Sequence, residues 1–301
     1  MDQTQIPQFP NFRNLTIEDK PLVDSLLKEM QPQISELTFT NLFVWNSSET
    51  VQLSRLDETV LLQRRRLRDD KTFLLPPLGK QPLTSVVKTL RKTDLGNYHL
   101  SPLYGLTFEE LRQLSIDGAK VESDRDDWDY VYLTNDLAEL LGDKYHSKRN
   151  FITRCLSKHT CRYASIGPSE VNECLQLQTQ WCSLRNCSLV PGLEAENTAI
   201  KTAFDNYAHL GVIGGAVYVD DKLEAFTLAE PLNDNTAVIH FEKANFEIDG
   251  LYQVVNQWFC QKELRNYKFV NREQDLGLTG LRKAKESYYP HHMVEKYVAQ
   301  L

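Results

Sequence analysis

An order of elements that occurs twice constrains the fold of this chain more than any other feature. Phe12 to Leu15 reads as a short strand, Thr16 with Asp19 three residues on has the pattern of a capping box, and the helix Asp19 to Met30 follows. The second half opens alike: Arg162 to Ile166 is strand-like, Gly167 and Pro168 punctuate, and Ser169 precedes a helix with Val171, Cys174, Leu175 and Leu177 at near-helical spacing. Val51 to Leu56, Asp57-Glu58 and Thr59 to Gln63 read strand, turn, strand, and Gly215 to Val219, Asp220-Asp221 and Leu223 to Leu228 repeat it. Each hairpin leads to a strand (Thr72 to Leu75; Thr236 to Phe241), a helix (Leu83 to Lys92; Leu251 to Leu264) and another strand (Tyr98 to Leu103; Tyr267 to Asn271). A helix (Phe108 to Ser115; Gly280 to Tyr288) and a strand (within Val121 to Tyr132; His292 to Tyr297) close each half.

Both halves thus read β-α-α-β-β-β-α-β-α-β, which predicts an α/β (α+β) chain of two tandem units. Its 301 residues lie where single cores stop growing. The order resembles the acyltransferase fold typified by the histone-type N-acetyltransferases, so two GNAT-like domains joined by a long helix are expected. The expected boundaries are residues 1–135 for the first domain, 136–158 for the connection with its helix Leu137 to Lys158, and 159–301 for the second, site-bearing domain.

Charge and composition narrow the partners. With 34 Lys+Arg against 41 Asp+Glu the net charge is −7, so general attraction to nucleic acid is excluded, no DNA is expected, and any tRNA contact must be a local basic patch. The most apolar stretch, Leu210 to Val219, holds three glycines and falls well short of the roughly 18 apolar residues of a membrane span. The opening MDQTQIPQFP lacks the basic and apolar parts of a signal peptide. Both features point to the cytosol. The six cysteines (Cys155, Cys161, Cys174, Cys182, Cys187, Cys260) show neither a CxxC pair nor a disulfide-module spacing, and are expected to be free thiols.

Five strings carry a further resemblance: DYVY (Asp129 to Tyr132), KYHSKRN (Lys144 to Asn150), HFEKAN (His240 to Asn245), GLYQVVN (Gly250 to Asn256) and VNREQDLGLTGLRKAKESYYP (Val270 to Pro290). Together they resemble the bacterial family related to the C-terminal domain of phosphatidylglycerol lysyltransferases, over nearly the whole chain. That family is similar in turn to the Fem-type peptidyltransferases, whose characterised relatives move an aminoacyl group from charged tRNA onto a lipid or cell-wall amine or hydroxyl. The resemblance implies the fold and an acyl-transfer reaction with a small-molecule or lipid-derived acceptor. The chain lacks the membrane-embedded portion of the lysyltransferases, so a lipid would be met at a bilayer surface or as a soluble fragment.

Several residues suit such chemistry. Strand alternation puts Val238, His240 and Glu242 on one face and Ile239, Phe241 and Lys243 on the other; Phe269, Asn271 and Glu273 share a face opposite Val270 and Arg272. Ligands of α/β sheets bind at the carboxyl ends of strands. Acyl transfer needs a base, for which Glu242 and Glu273 are candidates, and an oxyanion donor, for which Asn271, Lys243, Arg272 or a backbone N–H would serve. The competing reading is an ion-pair network that braces the sheet. Arg149 falls in the apolar stripe of Leu141, Tyr145, Ile152 and Leu156, so a buried pair with Glu242, or next Glu273, is expected. Lys144 and Lys148, beside Asn150 in the KYHSKRN string, stack at i,i+4 as a phosphate contact or a solvated face. Gln274 to Gly280 feeds a helix bearing Arg282, Lys283 and Lys285, an arrangement that suits a phosphate. Tyr252, Tyr288 and Tyr289 line the cleft or pack.

Coenzyme A users of this fold carry a Gly-rich pyrophosphate loop before the helix that here begins after Gly250. In this chain residues 245–252 read NFEIDGLY, with Glu247 and Asp249 where pyrophosphate would lie and Asp249 as the expected N-cap. Aminoacyl-tRNA is therefore the favoured donor over acyl-CoA, with no tightly bound cofactor. A non-catalytic binding module of the same fold is the other reading. There is no P-loop, GxSxG elbow or HExxH, and His291-His292 is a weak metal pair on a strand, so no metal is expected.

Overall fold

The computed structural model describes residues 5–92, 102–114 and 120–300. Contacts divide the chain into one unit of Met1–Trp128 with Val294–Leu301 and a second of Asp129–Met293. In the first, β1 (Arg13–Asn14) leads through a 3-10 turn to α1 (Lys20–Met30) and α2 (Phe39–Val44). The capping box forms as its spacing predicts, the Thr16 N–H donating to Asp19 Oδ2 at 2.9 Å. The hairpin β2 (Glu49–Leu56) and β3 (Thr59–Arg66) precedes β4 (Thr72–Leu74), α3 (Leu83–Lys92), β5 (Leu103–Leu106), α4 (Phe108–Gln113) and β6 (Val121–Ser123). The expected strand from Tyr98 and the end of the helix at Ser115 lie outside the described residues. Helix α3 buries Leu83, Val86, Val87 and Leu90 against Leu61, Leu74 and Leu103 of the sheet.

The second unit begins with β7 (Asp129–Leu133), α5 (Thr134–Glu139), α6 (His146–Lys158), β8 (Cys161–Ser165), α7 (Pro168–Arg185), α8 (Pro191–Asp205) and α9 (Tyr207–Leu210). It continues through β9 (Ile213–Val219), β10 (Lys222–Asn233), β11 (Thr236–Ala244), α10 (Leu251–Lys262), β12 (Phe269–Asn271), α11 (Thr279–Glu286) and β13 (His292–Val294). The β9–β10 hairpin turns on Asp220 and Asp221, both at positive φ (49° and 68°), the conformation that a tight two-residue hairpin requires. The chain's last strand, β14 (Tyr297–Ala299), lies in the first unit between β5 and β6.

The two sheets run β1-β2-β3-β4-β5-β14-β6 and β8-β9-β10-β11-β12-β7-β13. Each contains a parallel pair, β4 with β5 and β11 with β12, and the sheets correspond strand for strand once these pairs are aligned. The place beside the second strand of each pair is filled from the other half of the sequence, by β14 in one sheet and β7 in the other. The division therefore falls after Trp128 rather than at 135, because the strand Val121 to Tyr132 is two strands that enter different sheets.

Two expectations are corrected. The long connecting helix is α5 and α6, interrupted where Leu140 (φ 50°) and Gly142 (φ 85°) take left-handed conformations. Both pieces pack in the second unit, where Leu137, Ala138, Tyr145, Ile152 and Cys155 join Val254, Val255 and Phe259 of α10 in one apolar core. Cys182 and Cys187 form a disulfide with Cα atoms 5.0 Å apart, because Asn186 turns the chain back in a left-handed cap after α7; the other four cysteines are free. No helix of the described residues is long and apolar enough to cross a membrane.

Candidate functional site

The parallel pair β11–β12 is short. Thr236, Ala237 and Val238 face Phe269, Val270 and Asn271, while β11 continues to Ala244 beyond the end of β12. The two strands thus part at their carboxyl ends, where α/β sheets place ligands. On its other side β11 pairs with β10, and Phe241 opposes Leu228 while Ile239 opposes Ala229, so His240 is a bulged residue.

The bulge corrects the expected alternation. Before it, Ala237 and Ile239 face the α10 core; after it, Ala244 does so and Glu242 accepts a hydrogen bond from Asn256 of α10. Val238, His240 and Glu242 therefore do not share a face. His240 meets Glu230, on the β10 face whose Phe226 packs edge-on against Phe204 of α8. One extra residue thus delivers two polar groups to opposite sides of the sheet.

On the α10 side Glu242 is the centre. Its Oε1 accepts from Arg272 Nη2 at 3.0 Å and its Oε2 from Asn256 Nδ2 at 3.0 Å. Arg272 Nη1 and Asn256 Oδ1 are buried and have no hydrogen-bond partner among the described residues. The Arg272 guanidinium also lies 5.1 Å from the Tyr288 ring centroid and 5.8 Å from that of Tyr132. Burial pushes the Tyr288 phenol well above its ordinary range. Lys148 contacts the same ring, with its ammonium 4.2 Å from the Tyr288 centroid and 2.6 Å from Ser287 Oγ.

On the other side, the His240 ring nitrogens lie 2.8 Å from Glu230 Oε1 and 2.8 Å from Glu273 Oε1. Burial alone would lower the imidazole pKa, but hydrogen bonds to Glu230 and Glu273 outweigh it and raise the group to about 9. Glu273 has a positive φ of 57°, and its N–H donates to Asn271 Oδ1 at 2.7 Å. Asn271 Nδ2 donates in turn to Asp129 Oδ2 at 3.0 Å, so the amide braces the turn at both ends. Lys285 donates to the carbonyls of Arg272 (2.6 Å), Glu273 (3.1 Å) and Gln274 (2.5 Å), and burial lowers its pKa to about 8. Lys285 therefore holds the turn that carries Arg272, and is turned away from the phosphate role expected of it.

The remaining expected residues are dispersed. Arg149 does not pair with Glu242 or Glu273; it donates to the carbonyls of Leu140 and, at 2.8 Å, Gly142, capping the end of α5 at the break that ended the long helix. Lys144 is exposed and pairs with Asp136 at 3.1 Å, and exposed Asn150 contacts His146. Lys243, on the α7–α8 side, donates to Glu196 at 2.7 Å and lies 4.2 Å from the Trp181 ring. Tyr252 is half-buried at the start of α10, with its phenol pushed up by burial, and Lys283 is exposed on α11. Asp249 is not the N-cap of α10: that residue is Gly250 (φ 89°), and Asp249 pairs with Arg154 at 2.9 Å. Asn256, Glu230 and Ser287 were not singled out from sequence. Asn256 carried a signal, since it interrupts the apolar stripe of Val255 and Phe259 as Arg149 interrupts its own.

Residues 27–300 match the family model described as phosphatidylglycerol lysyltransferase, C-terminal. The chain belongs to this family. Among solved structures, a conserved protein of unknown function from Bacteroides thetaiotaomicron is 32% identical, covers 98% of this chain and 99% of its own, and superposes with a TM-score of 0.89. The C-terminal domain of a candidate lysylphosphatidylglycerol synthetase from Agrobacterium fabrum is 15% identical, covering 94% of this chain and 91% of its own with a TM-score of 0.65. The L-PGS of Bacillus licheniformis is also 15% identical, covering 98% and 93% with a TM-score of 0.59. No curated protein matches the chain. As a member of the phosphatidylglycerol lysyltransferase C-terminal family, the chain has the tandem GNAT-like fold that its strand order indicates.

Proposed function

We propose that the protein is an acyl-transfer enzyme that moves an aminoacyl group from charged tRNA to an amine or hydroxyl acceptor in the gap between β11 and β12. The observation that carries the reading is the pair of buried atoms flanking Glu242 that have no partner among the described residues: Arg272 Nη1 lacks an acceptor there and Asn256 Oδ1 a donor. A carbonyl oxygen answers the first and an acceptor N–H or O–H the second, so the cluster complements a nucleophile poised beside an acyl carbon.

In this mechanism Glu242 takes the proton of the acceptor as its nitrogen or oxygen attacks the ester carbon. Arg272 Nη1 donates to the oxygen as it becomes negative. Collapse breaks the ester C–O bond and the proton passes from Glu242 to the departing ribose oxygen, which balances the step. Glu273, the other candidate base, is engaged with His240 on the far side of the sheet. The acceptor is a small or lipid-derived molecule, and the setting is the cytosol. Aminoacyl-tRNA is favoured over acyl-CoA because Glu247 and Asp249 stand in the turn where pyrophosphate would lie, and no tightly bound cofactor is invoked.

The test supplies purified protein with a pool of tRNA charged with radiolabelled amino acids and a panel of amine and hydroxyl acceptors, in parallel with labelled acyl-CoA. Transfer from tRNA is expected, and Glu242→Gln should keep its fold and lose about 10²- to 10⁴-fold in rate, the usual value of a positioned base. Full activity in that variant removes Glu242 from the mechanism. Transfer from acyl-CoA alone replaces the donor, and transfer from neither ends the reading.

A further inference from the structure

The face of the second sheet that packs on α10 carries a row of directly opposed residues. Glu242 of β11 faces Thr227 of β10, Thr227 faces Gly215 of β9, and Gly215 faces Ser165 of β8. A Cβ on Gly215 would lie 2.4 Å from Tyr163 Oη and 2.6 Å from the Phe259 ring of α10, so the Tyr163 phenol takes the place of the missing side chain. That phenol donates to Glu263 Oε1 at 3.0 Å, and Ser165 Oγ donates to the same oxygen at 2.5 Å. Tyr163, Ser165 and Glu263 line an open surface cavity of about 690 Å³.

The row thus runs from Glu242 to a carboxylate that meets solvent. Its middle is Thr227, fully buried, whose Oγ1 has no hydrogen-bond partner among the described residues. Directly opposed side chains have Cβ atoms about 5 Å apart, a span that a buried water bridges where polar groups stand on both sides. Thr227 has the Glu242 carboxylate on one side and the Tyr163 phenol on the other. A hydroxyl both accepts and donates, so each of the two can take up a proton and pass on its own. Burial pushes the Tyr163 phenol far above its ordinary range, which keeps it neutral in that exchange. Cys260 of α10 and Tyr207 of α9, which also act on Tyr163, are themselves pushed up to about 12 by burial and stay protonated. Arg272 is occupied by its pair with Glu242.

We propose that Thr227 and Tyr163 form a proton relay from Glu242 to Glu263, and that the acceptor it serves is an amine. Near neutral pH an amine arrives as an ammonium and must lose one proton before it can attack, besides the one lost in the attack itself. Glu242 takes the first, and the relay carries it to Glu263 and solvent, which restores the carboxylate. Glu242 takes the second as the N–C bond forms and returns it to the ribose oxygen as the ester C–O bond breaks. One ammonium and one ester thus give one amide, one alcohol and one released proton. A hydroxyl acceptor has no proton to shed beyond the one returned, and would leave the row without use. The inference rests on the reading that Glu242 is the base of an aminoacyl transfer, and narrows its acceptor.

The experiment supplies charged tRNA and glycinamide, an α-amine, to the full chain for the native protein, Tyr163→Phe, Thr227→Val and Thr227→Ser. At about pH 6.5, where an α-amine is an ammonium, kcat should fall at least about tenfold in Tyr163→Phe and Thr227→Val with KM within about twofold, while Thr227→Ser keeps most of the rate. At about pH 9, where the amine arrives neutral, the loss should shrink to less than about threefold. A loss equal at both pH values, as a merely structural role would give, or transfer to hydroxyl acceptors alone, overturns the relay. The row is also tested without turnover, since bridged hydroxyls depend on each other: the urea midpoint shifts of Tyr163→Phe and Thr227→Val should be non-additive in the double variant. Additive shifts overturn the relay whether or not transfer occurs, and non-additive shifts without transfer end the reaction and leave the joined row in place.

Discussion

His240 sits at a bulge and takes a carboxylate on each ring nitrogen, Glu230 from β10 and Glu273 from the turn after β12. A group whose folded pKa is raised to about 9 holds a proton that the unfolded chain releases near pH 6.5. Its contribution to stability is thus complete below about pH 6.5 and lost as the pH rises through about 9. Lys285 has the opposite sign, since its value is lowered to about 8 and the cost of burying its charge is relieved above that pH. The cleanest window for His240 is therefore pH 6.5 to 8, where about 2 kcal/mol should be lost at 1.36 kcal/mol per unit. Urea unfolding of the native chain and of His240→Gln across this window checks it: the native slope should be clearly steeper, and parallel slopes would show that the imidazole is not charged. At this scale sequence reading found the polar residues of the strand ends but not their partners. Alternation assumes an unbroken pleat, and a single bulged residue reverses every face that follows it. Arg149 departs from its expected pair for a related reason, since helical spacing does not hold across the break at Leu140 to Gly142.

Helix α10 brings Asn256 to Glu242, and its placement depends on how closely its first turn approaches α6. A Cβ added at Gly250 would lie 2.2 Å from the Phe151 carbonyl oxygen and 2.8 Å from its carbon, both backbone atoms that cannot rotate away. The φ of 89° adds strain for any other residue. Gly250→Ala should therefore cost at least about 2 kcal/mol, a value within the range of strained or overpacked sites. It should also lower transfer beyond the loss in stability, because α10 must shift to clear α6 and carries Asn256 with it. Denaturant midpoints together with the rate measured far below the melting temperature separate the two effects. An alanine variant as stable as the native chain would show that the helices do not meet as described. Helices and strands here were largely legible because hairpin turns, caps and apolar spacing are local signals. The interruption between α5 and α6 was not, since Leu140 reads as another apolar residue of a helix and only Gly142 hints at the break.

The exchange of β7 and β14 between the two sheets belongs to the whole chain, and sequence is silent on it for a physical reason. The sequence reads as one closing strand over His292 to Tyr297, where the structure has β13 and β14 in different sheets; both sheets offer a vacant place beside a parallel pair, and nothing local distinguishes the two. In the first unit β14 pairs with β5 on one side and β6 on the other, and Lys296 just before it donates to Glu36 at 2.7 Å, with both side chains almost fully buried. Removing residues 295–301 should therefore separate β5 from β6 and leave the Glu36 carboxylate buried without its cation, a loss of about 3 to 5 kcal/mol for the ion pair alone. The damage should be confined to the first unit, although the residues removed lie nearest in sequence to the second. Hydrogen exchange read by peptide decides the point: protection should fall in β2, β3 and α3 and persist in β9, β10 and α10. Loss confined to β10 to α10 would mean that the terminal strand supports the sheet of its own half, as the simple tandem repeat implies.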